Sequence, residues 1–280
     1  LTIAILVIIC IVYTMAVYFG LQWVARLAAS CIYLFFVLLA YFLFLGGQTR
    51  YIIETGISAV GTLAQNFISL ATWTDALRTS SFPQNWTIFY WAYWMVWCVA
   101  TPFFIGTISK GRTIRQTVLG GYFFGLAGTF TSFIILGNYG LGLQTHGILD
   151  LMGLYRESQD LYQTIIAIFE TMPMAKIGLI LLAVTMIAFY ATTFDALTMV
   201  ASSYSYRSLD ADKEPDKKVK LFWAVTLMLF PIALIFSENS MSSLQSVSIV
   251  AAFPIGFIIL MIVWSFFKDA DSYLKEKTTN

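Results

Sequence analysis

The sequence predicts an all-helical integral membrane protein, and its composition and long apolar runs carry that prediction. Hydrophobic residues make up 59% of the 280 residues and charged residues only 11%, against about 25% charged in a soluble domain. Several apolar runs are about 20 residues long, enough to cross a bilayer core as a helix. A soluble globular enzyme and a disordered chain are therefore excluded. The formal net charge of +1 argues against a basic surface that binds nucleic acid. Because of its apolar runs, the chain is expected to have the lipid bilayer as its partner.

Hydropathy divides the chain into seven predicted membrane spans. They cover residues 1–20, 28–46, 86–108, 118–141, 174–204, 221–236 and 244–267. Because the chain starts inside an apolar run, we expect it to be part of a longer protein. Between the second and third spans, residues 51–78 have apolar side chains at helical spacing with polar ones between. That pattern predicts an amphipathic helix at the membrane interface.

The basic residues predict the orientation of the spans. If the loop at 109–117 is cytoplasmic, alternation of the spans places 12 of the 16 Lys and Arg residues inside. The positive-inside rule favours that arrangement. It places loop 109–117, loop 205–220 and the C-terminus in the cytoplasm, with the spans in the cell (inner) membrane.

Small residues in the fourth span predict a packing contact. Gly121 and Gly125 are four residues apart. In a membrane helix this spacing lets a second helix approach closely. We therefore predict that these glycines face a neighbouring helix.

The third span is unusually aromatic. Four of the eight tryptophans lie within residues 86–97. Tryptophan is common at membrane boundaries, but Trp97 lies about 16 Å along a helix from Trp86, near the middle of the membrane. At about 100° per residue, one stripe holds Trp86, Tyr90, Tyr93, Trp97 and Thr101, with Trp94 at its edge. Spacing alone fits either helix packing or a site where ring faces hold a quaternary ammonium ion.

The fifth span places oxygen-bearing side chains at membrane depth. Thr192 and Thr193 could donate to a carbonyl one turn earlier in their own helix. They could instead supply oxygen atoms to sodium, as helices in sodium-coupled transporters do. Asp195 is the only ionisable side chain deep in an apolar span, where a charge costs about 2.5–3.5 kcal/mol. We expect it to support the threonines rather than to bind an ion directly.

Two segments closely resemble the signature of the betaine/carnitine/choline transporter family. They are WTIFYWAYW at residues 86–94 and ISKGRTIR at residues 108–115, and residues 82–86 and 267–270 are also similar to family members. The resemblance extends over essentially the whole chain. It implies an inverted-repeat fold of five plus five helices, the fold of many sodium-coupled transporters, of which this chain is a part.

The resemblance also implies a division of the chain. Residues 1–46 would be the last two helices of the first repeat, and residues 47–85 an extracellular or periplasmic loop. Residues 86–267 would form the second repeat and residues 268–280 a cytoplasmic tail. Helices N-terminal to this chain would supply the rest of the site, and a homotrimer is the family expectation.

The function implied by the resemblance is secondary active import of a trimethylammonium osmolyte such as glycine betaine, carnitine or choline, without enzyme activity or a cofactor. The substrate-binding positions match Tyr93, Trp94, Trp97 and Thr101. The sodium-binding positions match Phe189, Thr192 and Thr193, with Asp195 in support. Na+ is then the coupling ion. The alternatives are a sodium-independent carnitine-type exchanger and a membrane sensor that binds ligand without moving it.

Overall fold

The fold is known from a computed structural model that describes Ile8, Ile11 and residues 21–80, 82–207, 215–235 and 240–279. Every regular element within those residues is a helix, as predicted. The α-helices are α1 (Leu21–Ala40), α2 (Thr49–Gln65), α3 (Phe67–Thr72), α4 (Phe89–Ile108), α5 (Ile114–Ser132), α6 (Asn138–Thr145), α7 (Leu151–Ser158), α8 (Leu161–Glu170), α9 (Ala175–Tyr204), α10 (Lys217–Ile235) and α11 (Ser240–Thr279).

Three π-helical segments extend these helices. Tyr41–Leu45 continues α1, Pro83–Ile88 leads into α4, and Phe133–Gly137 joins α5 to α6. A π-helical turn contains one more residue than an α-helical turn of the same length, and such turns are frequent at functional sites. The first and third segments contact each other, so two long helices change their register where they meet.

Four helical stretches in the described part of the chain are long and apolar enough to cross a membrane. They are Ala25–Leu45, Ile114–Thr145, Ala175–Tyr204 and Ser246–Glu276. These stretches match the second, fourth, fifth and seventh predicted spans. The third and sixth predicted spans are the helices α4 and α10. The first lies outside the described residues, apart from Ile8 and Ile11.

The predicted interfacial helix differs from the structure. It does not run to residue 78, because α2 ends at Gln65 and α3 at Thr72. At the end of α2 the backbone N–H and the side-chain amide of Asn66 both donate to the Thr62 carbonyl, each with a length of 3.0 Å, a local bond of the kind that disfavours asparagine inside a helix. One side of α2 is also buried, with Ile52 and Gly56 packed on the membrane helices.

A hydrophobic core joins α1, α2, the α5–α6 stretch and the end of α8. Its buried members include Phe42, Ile52, Tyr139 and Phe169. Two tyrosines in this core also fix the connection before α9. The Tyr41 hydroxyl donates to the Pro173 carbonyl over 2.8 Å, and the Tyr139 and Thr171 hydroxyls are 2.9 Å apart. The start of α9 is thereby held against α1 and α6.

Close helix approach occurs at other glycines than the predicted pair. A Cβ atom on Gly121 or Gly125 would meet no described atom within 4 Å. A Cβ on Gly178 of α9 would lie 2.6 Å from the Tyr41 hydroxyl. No described helix packs on the pair in α5, so their packing stays a prediction, and among the described residues a tight contact lies between Gly178 of α9 and Tyr41, in the π-helical continuation of α1.

Candidate functional site

The helix α4 carries the aromatic residues, and a structured loop precedes it. The Asp75 carboxylate accepts hydrogen bonds from the backbone N–H and hydroxyl groups of both Thr79 and Ser80, at 2.8 to 3.1 Å. The Gln84 amide donates to the Thr74 carbonyl over 2.8 Å. These bonds close residues 74–84 on themselves and fix the point where α4 begins.

The bonds to Asp75 also determine its protonation. Donation from the Ser80 backbone N–H, with further donation from Thr79, holds the pKa of the carboxyl far below its usual range, although burial opposes this shift. A carboxylate that accepts several hydrogen bonds is stabilised in its charged form. Sequence reasoning missed this residue. An aspartate followed four and five residues later by hydroxyl side chains was the available signal.

The predicted substrate residues form one connected group of rings. The Tyr93 ring lies 6.0 Å from the rings of Trp94 and Trp97, edge to face in both cases. Toward the start of the helix, Phe89 lies 5.9 Å from Tyr93. The structure therefore brings Tyr93, Trp94 and Trp97 together.

Tyr93 and Trp97 of this aromatic group lie on the opposite side of α4 from α11, and Trp94 lies between the two sides. The side that meets α11 carries Ile88, Trp91, Ala92 and Met95, which line a groove of about 720 Å³ between the two helices. At about 100° per residue, Tyr93 and Trp97 lie roughly opposite the centre of that side. Packing against α11 therefore does not explain why Tyr93 and Trp97 share one face of α4. Trp94 is exposed among the described residues.

Thr101 extends the stripe by one turn. Its hydroxyl donates to the Trp97 carbonyl over 2.7 Å. With its proton committed, the Thr101 oxygen can act only as an acceptor toward a ligand. Thr101 could thus accept a hydrogen bond from a hydroxyl group but could not donate to a carboxylate.

The predicted sodium residues share one backbone carbonyl. The Thr192 hydroxyl donates to the Phe189 carbonyl over 2.8 Å and the Thr193 hydroxyl over 3.1 Å. This is the bonding pattern that a purely structural role predicts. It also directs the oxygen lone pairs away from the helix, which is the orientation that a cation requires.

Helix α1 is the neighbour of the threonines. The Phe189 ring contacts the Phe35 ring at 6.1 Å, and Phe35, Phe189 and Thr193 line a groove of about 330 Å³. The pair thus lies where α9 meets α1.

Asp195 is buried on another side of α9. It lies one turn after Ala191, which is fully buried in a cluster with Ala224 of α10 and with Leu27 of α1. By helical geometry Asp195 and Thr193 point roughly opposite ways, whereas Asp195 and Thr192 lie on adjacent sides. Direct support from Asp195 is therefore possible for Thr192 only.

The aromatic group on α4 and the threonine pair on α9 lie at different heights. The helices α9 and α4 are joined where the Tyr204 hydroxyl donates to the Val99 carbonyl over 2.9 Å. Thr192 lies 12 residues earlier on α9, about 18 Å along the helix axis. The structure therefore groups the aromatic residues with one another and the threonines with one another, and links the two helices at Tyr204.

Comparison with known proteins agrees with the family resemblance of residues 86–94 and 108–115. The sequence model described as "BCCT, betaine/carnitine/choline family transporter" matches residues 1–275. A carnitine transporter of Acinetobacter baumannii is 26% identical over 256 residues, which are 91% of this chain and 46% of that protein. The uncharacterized transporter YeaV of Escherichia coli K12 is 27% identical over 222 residues, 79% of this chain and 46% of that protein. The chain spans about half the length of the curated relatives it matches.

Proposed function

The chain belongs to the betaine/carnitine/choline family of transporters, and we propose that it forms part of a secondary active transporter that imports a trimethylammonium compound by sodium symport. Family members are multi-pass membrane transporters rather than enzymes. The observation that carries the proposal is the connected group of Tyr93, Trp94 and Trp97 on α4, none of which lines the groove toward α11.

The chemistry of a quaternary ammonium ion suits this group. Such an ion has no N–H to donate, so carboxylates and carbonyls cannot hold it by hydrogen bonds. The negative faces of aromatic rings attract it electrostatically, and tryptophan does so best. A neutral aromatic site also leaves the cation free to depart once the transporter has changed its conformation.

The substrate is glycine betaine, carnitine or choline. The Thr101 oxygen lies one turn after Trp97 on α4 and can only accept a hydrogen bond. It therefore favours a substrate that has a hydroxyl group. Carnitine and choline have such a group and betaine does not. The relative from Acinetobacter baumannii is named a carnitine transporter, which agrees with this preference.

Sodium coupling is proposed from Thr192 and Thr193. Sodium is a hard cation, and sodium sites in transporters combine helix oxygens with backbone carbonyls. Both hydroxyls direct lone pairs outward because their protons are bonded to the Phe189 carbonyl. Phe189 contributes its carbonyl to hold the pair and its ring to close the groove beside Phe35.

The hydrogen bonds from Thr192 and Thr193 to the Phe189 carbonyl are also compatible with a second candidate function, a sodium-independent exchanger. If the threonine hydroxyls only satisfy the helix backbone, the protein exchanges one trimethylammonium compound for another without an ion. In both cases transport proceeds by alternating access around a site near the middle of the membrane. We place loop 109–117, loop 205–220 and the C-terminus in the cytoplasm, on the positive-inside rule.

Uptake measurements test the proposal. The full-length protein is reconstituted in liposomes, and uptake of labelled betaine, carnitine and choline is followed with and without an inward sodium gradient. Accumulation that requires the gradient supports symport. Uptake indifferent to sodium but dependent on internal substrate supports the exchanger, and binding without movement indicates a sensor.

A further inference from the structure

A second polar feature lies on α9, beyond the threonine pair. Asp195, Thr198 and Ser202 are separated by three and four residues, so they lie on one face of the helix, each about one turn from the next. Their side chains are 8%, 0% and 0% exposed. We call these three residues the polar stripe. It continues the face of Ala191, which packs in a cluster with Ala224 of α10, so the stripe lies in the seam between α9 and α10.

Two hydroxyl groups of the polar stripe lack a hydrogen-bond partner in the described part of the chain. In the described structure, Thr198 Oγ1 and Ser202 Oγ are buried and unbonded. Other buried hydroxyls of the same helix donate to the carbonyl four residues earlier, as Thr185 does to Leu181 over 2.7 Å and Ser203 to Met199 over 2.8 Å. Leaving a buried hydroxyl unbonded is costly, so such a group in a native structure calls for a partner such as a water molecule or an ion.

The charges of the seam suit a cation held weakly. Asp195 contributes a carboxylate at one end of the polar stripe. Lys220, in the first turn of α10 and four residues before Ala224, is buried as well. A lysine in the same seam offsets the negative charge of the carboxylate, so a small cation would bind there without being retained.

We propose that the polar stripe is a transient site for the coupling cation, on a path that leads sodium from Thr192 toward the cytoplasm. The proposal rests on the sodium symport proposed above. Thr192, Asp195, Thr198 and Ser202 follow one another at three or four residues, a rise of about 4.5–6 Å per step. Over such a distance a cation can exchange one oxygen ligand for the next. Weak sites in series suit a path that an ion must both enter and leave.

The end of this path is closed in the structure. The Trp223 indole N–H donates to Ser205 Oγ over 2.7 Å, and the Asp216 backbone N–H donates to the Tyr206 hydroxyl over 3.0 Å. Both bonds join the end of α9 to the start of α10, just beyond Ser202. Release of the cation then requires α9 and α10 to separate at this end.

The test uses the full-length protein in liposomes, with sodium-driven uptake of labelled betaine or carnitine and release of radioactive sodium as the two readouts. The variant combines Thr198→Val with Ser202→Ala. The matched control combines Thr185→Val with Ser203→Ala, two buried positions of the same helix whose hydroxyls are bonded. We expect the stripe variant to lower the maximal uptake rate and the rate of sodium release about tenfold, with the substrate KM changed less than about twofold.

Protein stability provides a further readout. Because the stripe hydroxyls have no partner among the described residues, their removal should leave the melting temperature unchanged or raise it, whereas the control variant loses two hydrogen bonds and should melt lower. A purely structural role for the stripe predicts the reverse. Should the double variant not fold, Ser202→Ala alone carries the test, with about threefold slower sodium release expected.

The outcomes separate the two proposals. If the stripe variant, or Ser202→Ala alone, transports and releases sodium like the control, the path is overturned while sodium symport stands. If the wild-type protein takes up substrate without regard to sodium, sodium symport is overturned, and the path falls with it. Slower release in the stripe variant with an unchanged substrate KM supports the path.

Discussion

The Tyr204 hydroxyl donates a hydrogen bond to the Val99 backbone carbonyl over 2.9 Å, and this bond ties the end of α9 to the middle of α4. Val99 lies two residues after Trp97, and Tyr204 lies two residues after Ser202. The bond therefore couples the helix that carries the aromatic group to the helix that carries the threonines and the polar stripe.

Removal of this bond should loosen the two helices without changing the substrate site. We expect Tyr204→Phe to lower the stability of the protein by about 1 kcal/mol, the net value of a typical hydrogen bond, with betaine and carnitine affinity unchanged. The melting temperature of the purified protein measures this effect. Tyr190→Phe is the control, because its hydroxyl has no partner in the described part of the chain; an equal loss in both variants would count against a specific role for Tyr204.

The threonine pair should set the sodium requirement. We expect Thr192→Ala with Thr193→Ala to raise the sodium concentration for half-maximal uptake about tenfold or more, since two ligand oxygens are lost. Uptake measured across a series of sodium concentrations checks this expectation. Ser203→Ala is the control, because its hydroxyl is bonded to its own helix about three turns later. Unchanged sodium dependence in the double variant would refute the site.

The loop before α4 should lose stability in acid. The hydrogen bonds from Ser80 and Thr79 lower the pKa of Asp75 in the folded protein, so its stabilising contribution is complete above the ordinary carboxyl pKa of about 4. The contribution is lost as the pH falls below that value toward the folded-state pKa.

Asp75→Asn tests this pH dependence. An amide nitrogen cannot accept the bonds that Ser80 now donates, so the variant should melt lower than wild type at pH 7, and the difference should shrink as the pH falls from about 4 toward 3. Melting temperatures across that range provide the measurement, with Asp269→Asn in the tail as control. A difference that stays constant with pH would show that the carboxylate is not what the loop requires.

Gly178 should not tolerate a side chain. A Cβ atom there would lie 2.6 Å from the Tyr41 hydroxyl and 2.8 Å from two carbons of its ring. Gly178→Ala must displace Tyr41 and break its bond to Pro173, so we expect a loss of about 1–3 kcal/mol in stability. Gly121→Ala, where a Cβ meets no described atom within 4 Å, should be neutral or stabilising. Equal melting temperatures for the two variants would contradict the assigned contact.

The sequence was sufficient for features that depend on hydropathy and on local spacing. The fifth span was predicted at residues 174–204 and is the helix Ala175–Tyr204. Tyr90, Tyr93 and Trp97 of α4 fall on one stripe, because helical periodicity alone determines which side chains share a face. The family match agrees with the motif at residues 86–94.

Features that depend on the neighbour of a residue could not be predicted. Gly121 and Gly178 look alike in a sequence, and only the packing of α9 on Tyr41 distinguishes them. The π-helical turn at Tyr41 arises where α1 meets the α5–α6 stretch, a contact between distant parts of the chain. Likewise, Thr198 and Thr185 are both helical threonines in an apolar span, yet only Thr185 donates to its own helix.

The most direct test of the aromatic site is the affinity of the full-length protein for betaine and carnitine in two tryptophan variants of α4. Trp94 and Trp91 are 63% and 64% exposed among the described residues, but Trp91 lines the groove toward α11 and Trp94 belongs to the ring group of Tyr93. Titration calorimetry should show that Trp94→Ala weakens binding about tenfold or more, the value of a desolvated cation–π contact, while Trp91→Ala changes it less than about twofold. Near-normal affinity in Trp94→Ala, or an equal loss in both variants, would contradict a quaternary ammonium site on this face of α4.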